Sequence, residues 1–135
     1  MRQHFLFYFG LFCLLFLVTG CSGKCSLKGK VVFSDDQSPL TCGVVCLVSD
    51  KGIARGPIDQ NGNYVVGSVG AKDGLPPGSY RIYLTETERL EPAPGGGLPR
   101  IFPQIDNKYS RAETSGLTLE VKSSMTHTIE VDRYK

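Results

Sequence analysis

Two patterns of apolar positions divide the chain. From Phe5 to Val18 no residue is charged, and the run is nearly continuous in hydrophobicity. From Ser26 onward the apolar residues instead alternate with polar ones in short runs. In Ser26–Phe33, Leu27, Val31 and Phe33 share one face of an extended chain. Cys42–Ser49 is short and β-branched, as a buried strand is. Ile53–Ile58 is a weaker strand, interrupted by Gly56 and Pro57. Tyr64–Val69 follows, and Ser79–Glu86 alternates with Tyr80, Ile82 and Leu84 together. Two alternating runs close the chain, Ser115–Lys122 and Met125–Arg133, and the turn near Ser123 and Ser124 predicts a hairpin between them. No stretch keeps a helical period. About seven short strands at this spacing predict an all-β sandwich.

The first run has the form of a signal peptide. Arg2 precedes it, small residues Thr19 and Gly20 follow it, and it is shorter than the roughly 18 apolar residues of a membrane span. The order Val18-Thr19-Gly20-Cys21 resembles a bacterial lipobox. That resemblance implies cleavage before Cys21, with diacylglycerol on its thiol and an acyl group on its amine. More than one chain is what stable anchoring requires. The alternative is ordinary secretion with Cys21 left for a disulfide. Ser22 is not Asp, so the inner-membrane retention signal of diderm lipoproteins is missing. The expected organisation is a signal peptide at 1–20, a lipidated tether at 21–26 and a sandwich at 27–135. The expected location is the bacterial cell envelope, lipid-anchored, with the outer membrane favoured.

Between the strands lie turn signals. Asp59–Asn63 reads DQNGN, in which Gly62 can take positive φ and Asp59 can bond turn amides. It lacks the sixth-position Gly and distant Glu of a calcium loop. Pro77 and Gly78 preset a second turn. The segment Thr87–Ser110 is longer than ordinary connections, and such segments are functional or disordered. Its Ile101, Phe102 and Tyr109 either pin it to the sandwich or offer a contact surface. A mobile linker is the third option.

The order of these motifs resembles the carboxypeptidase regulatory-like domain. Gly29 and Val31, then Pro39, Leu40, Val45 and Leu47, then Asp59, Gly62 and Tyr64, then Pro77, Gly78, Tyr80 and Ile82 follow that family's pattern. The tail from Lys108, KYSRAETSGLTLEV, looks like the end of small bacterial lipoproteins of this type. The resemblance covers nearly all of the chain after the signal. It implies an immunoglobulin/transthyretin-like sandwich and a non-catalytic accessory role. Cys42, where the family often has Gly or Ala, and the long Thr87–Ser110 segment depart from it.

Charge excludes one class of partner. The net charge is +2, with basic residues scattered, so nothing marks a nucleic-acid surface. Of five cysteines, Cys13 lies in the signal and Cys21 in the lipobox. Cys42 and Cys46, four apart on one presumed strand, stand on the order of 13 Å apart, too far to bridge. Cys25 can therefore pair with one of them, Cys46 being the candidate; free thiols are the alternative. Three Cys with His127 fit no structural-zinc spacing, so no metal or cofactor is expected. No catalytic constellation is expected either. His127 has no nucleophile signature near it, and Glu86, Glu88 and Glu91 read as a solvated rim. The functional expectation is a non-enzymatic, membrane-anchored structural or protein-interaction module, with Phe102 and Tyr109 as candidate partner contacts. The alternative is a carbohydrate- or peptidoglycan-binding module using Tyr83, Phe102 and Tyr109.

Overall fold

The computed structural model describes residues 23–67 and 73–135. The chain is an all-β sandwich. Among the described residues the strands are β1 (Leu27–Phe33), β2 (Val44–Ser49), β3 (Gly52–Pro57), β4 (Asn63–Val66) and β5 (Gly78–Thr85). They continue with β6 (Glu88–Glu91), β7 (Arg100–Pro103), β8 (Leu117–Val121) and β9 (Met125–Val131). One layer has the order β4-β1-β9 and the other β3-β2-β5-β8. All pairings are antiparallel except β1 with β9, which is parallel, Leu27 opposite Met125 through Phe33 opposite Val131.

Alternation places the core. Leu27, Val31, Val66, Ile129 and Val131 face Val45, Leu47, Ile82, Leu84 and Val121, all essentially sealed from solvent. Each such side chain contributes about 1.5–3 kcal/mol on burial. Along one side the layers are stitched together: Arg55 and Gly67 exchange backbone hydrogen bonds of 2.9 and 3.0 Å. Gly56 stands there because a Cβ would run into the Val65 carbonyl.

Three expectations change. The last two strands do not form a hairpin. β8 pairs with β5 and β9 with β1, in opposite layers. The connection at Lys122–Ser124 crosses between the layers, and Ser124 Oγ accepts from the Ser26 amide at 2.9 Å. The long segment is not structureless: β6 and β7 form a separate two-stranded sheet, and a 3₁₀ turn follows at Asn107–Ser110. The strand containing Cys46 begins at Val44. Gly43, at φ 122°, breaks the extended run, so Cys42 lies off the strand.

Candidate functional site

The turn motifs are folding devices. Asp59 Oδ1 accepts the amides of Asn61 and Asn63 at 2.8 and 2.9 Å, and these bonds hold its carboxyl below the usual range. Gly62 has φ 81° and sits where a Cβ would press on Pro39. The turn delivers Tyr64 into the core with its hydroxyl donating to the His127 carbonyl at 2.8 Å. Burial pushes that phenol's pKa far up. Tyr80 donates to the Pro76 carbonyl at 2.6 Å, closing the second turn.

The two ends of the sandwich differ. At one end lies the start of the described chain. Cys25 and Leu75 exchange backbone hydrogen bonds of 2.7 and 2.9 Å, and Lys24 pairs with Asp73 at 3.3 Å. At the other end a polar network ties three segments together. Asp132 accepts from Ser34 at 2.7 Å, Lys108 at 2.6 Å and Tyr109 at 3.0 Å. Arg133 bonds Asp35 at 2.8 Å and Asp36 at 3.0 Å while lying 3.7 Å from the centre of the Phe33 ring. The pKa values follow these contacts. The Ser38 hydroxyl and amide, with Arg133 beside them, hold Asp36 at about 2. Lys108, hydrogen-bonded to Asp132 and lying beside Tyr109, is raised to about 12. Asp132 falls well below the carboxylate range, chiefly through Lys108 and Ser34.

This network accounts for the tail motif. Thr114 Oγ1 donates to the Lys108 carbonyl at 2.6 Å, and buried Ser115 donates to the Ile82 carbonyl. Ser110 closes the 3₁₀ turn on Asn107 at 2.7 Å. Of the residues that looked like a signature, Lys108, Tyr109 and Ser115 fasten segment 104–117 to the sandwich, and Ser110 and Thr114 hold its internal turns.

From this end the hairpin β6–β7 stands out. Its pairs are Glu88 with Pro103, Arg89 with Phe102, Leu90 with Ile101 and Glu91 with Arg100. Leu90 and Ile101 share one face and are 64% and 66% exposed. Phe102 is on the other face, 39% exposed, with Arg89 and Glu91, which pair with each other. Leu98, in the connecting loop, is 90% exposed. Sequence patterning missed this element because neither face is buried.

The predicted site residues separate. Cys21 and the lipobox lie outside the described residues. Phe102 is exposed on the hairpin. Tyr109 is 5% exposed and is not a surface contact, because its ring packs into the core and its hydroxyl is held by Asp132. Cys25, Cys42 and Cys46 are all free thiols, which corrects the Cys25–Cys46 pairing. Cys25 belongs to the core cluster between the layers. Cys46 alternates with core-facing Val45 and Leu47, so it points away from that core, near Thr85 Oγ1 at 3.9 Å. Burial pushes its thiol pKa up. His127 is partly buried on edge strand β9, and burial lowers its pKa. Among the described residues no cluster of His, Cys, Asp and Glu is grouped to hold a metal.

No protein-family model and no curated protein matches the chain. Solved structures do match. The major pilin subunit of Bacillus cereus, BcpA, is similar at a TM-score of 0.50 and 13% identity, over 83% of this chain and 31% of the pilin. A DUF3823 family protein from Bacteroides ovatus is similar at 0.45 and 19%, over 82% and 45% of the two chains. Another from Parabacteroides merdae is similar at 0.48 and 17%, over 83% and 47%. The chain spans less than half the length of each. At these identities the likeness is one of fold.

Proposed function

We propose that the protein is a lipid-anchored module of the bacterial cell envelope, of the carboxypeptidase regulatory-like kind, with a structural or protein-interaction role and no catalysis. The observation that carries this reading is the use made of its motif residues. Gly29, Asp59, Gly62, Tyr64 and Tyr80 are engaged in turns, close approaches and hydrogen bonds to backbone. What projects is a hairpin of exposed apolar side chains, and such exposure marks interaction surfaces. It rises from the end opposite Cys25. The seven residues of β1 separate the two ends by roughly 20 Å. A chain tethered through Cys21 would hold the hairpin away from the bilayer.

The test is Cys21→Ser. The wild-type chain should fractionate with membranes and the variant with the soluble envelope fraction. Equal membrane association of both would overturn the anchor. Exposed Phe102 keeps the glycan reading in play, although Tyr109 is lost to it. A glycan array with signal abolished by Phe102→Ala would favour that reading.

A further inference from the structure

We infer that the chain self-associates through β6, which pairs antiparallel with β6 of a second copy about a twofold axis at Leu90. The inference deepens the interaction-module reading and rests on it for the hairpin's role, but not on the anchor.

A two-stranded hairpin in water is marginal and needs further strands or a covered face. β6–β7 is its own sheet, and its Leu90 and Ile101 face solvent. The backbone shows which edge is available. Pro103 has no N–H, so its pair with Glu88 is a non-hydrogen-bonded one. Pairs alternate, so Leu90 with Ile101 is non-hydrogen-bonded too. The N–H and C=O of Leu90 then point away from β7, toward the outer edge of β6. The Glu88 carbonyl points the same way, and the Cys42 thiol donates to it at 3.8 Å.

A twofold interface must be complementary to itself, and β6 is. With Leu90 opposite the partner's Leu90, two backbone hydrogen bonds form and the leucines adjoin. Arg89 falls opposite the partner's Glu91, and Glu91 opposite the partner's Arg89, so opposite charges meet twice. Glu88 falls opposite the partner's Pro92, which has no N–H. The Cys42 thiol already occupies the edge at the Glu88 carbonyl, so the cross-chain ladder is confined to Arg89, Leu90 and Glu91. The β7 edge offers no such match. About a twofold at Ile101, its Arg100 would meet the partner's Phe102, and Pro103 removes a donor. The second copy fits because sequence and edge geometry of β6 complement themselves.

The experiment is sedimentation velocity on the full chain in detergent, purified from whichever envelope fraction holds it. The wild type should be dimeric. Arg89→Glu and Glu91→Arg each place like charges opposite one another, and each should weaken association at least about tenfold. Mixed together, the two variants should form a 1:1 heterodimer. Each has lost its internal Arg89–Glu91 pair, so only cross-chain pairing explains such a rescue. A monomeric wild type, variants that stay dimeric, or a mixture that stays monomeric would overturn the inference. Hairpin variants that lose a different envelope protein while the wild type is monomeric would also overturn it, leaving the interaction-module reading standing. Cys21→Ser should abolish anchoring and leave the dimer.

Discussion

The hydroxyl of Tyr64 reaches the carbonyl oxygen of His127, 2.8 Å away, past Gly29. A Cβ at Gly29 would overlap that carbonyl and stand 3.0 Å from the Tyr64 oxygen. The three residues come from neighbouring strands of one layer, β4, β1 and β9. The hydrogen bond therefore clamps the first strand of the sandwich between the fourth and the last.

Tyr64→Phe should leave the His127 carbonyl without this donor and cost about 1–3 kcal/mol. Gly29→Ala should cost more, because backbone must move to admit the methyl group. Denaturant unfolding of both variants orders them. A Gly29→Ala protein as stable as wild type would contradict the clamp.

Tyr109 should behave as a core residue. Tyr109→Ala removes a buried ring and a bond to Asp132, and should cost about 3–5 kcal/mol. Tyr109→Phe keeps the ring and should cost about 1 kcal/mol. Thermal unfolding separates the two, and equal effects would mean that the ring contributes nothing.

Acid should loosen the network end first. Asp36 and Asp132 have folded pKa values below the unfolded value of about 3.9. The unfolded chain therefore binds more protons in that range, and stability falls as pH falls. The contribution is complete above about pH 4, and the share of Asp36 is lost as pH drops through about 2. Asp132→Asn should flatten the stability profile over the same range. An unchanged profile would remove Asp132 from the account.

The three sandwich thiols should differ in reactivity. Cys42 is partly exposed, while Cys25 and Cys46 are buried. Maleimide labelling of the native chain, mapped by peptide mass, should modify Cys42 first. Reductant should change nothing at these three positions, and a peptide joining Cys25 to Cys46 would contradict the fold described.

Much of the fold is legible in the pattern of residues. Leu27, Val31 and Phe33, or Tyr80, Ile82 and Leu84, declare a buried face by alternation alone. Alternation does not say which strand lies beside which. That is why β8 and β9, adjacent in sequence, read as a hairpin although they belong to different layers. The hairpin β6–β7 was hidden for the opposite reason, since with both faces exposed it has no burial pattern. Cys46 and Cys25 illustrate a third limit. Parity places Cys46 opposite to Val45 and Leu47, but only the assembled layers show that Cys25 lies on the inner side.

The central claim is a membrane-tethered sandwich, and the mass of its N-terminal tryptic peptide from a membrane fraction tests it most directly. The account predicts Cys21–Lys24 carrying more than one acyl chain. An unmodified peptide beginning at Cys21, or a chain retaining residues 1–20, would contradict it.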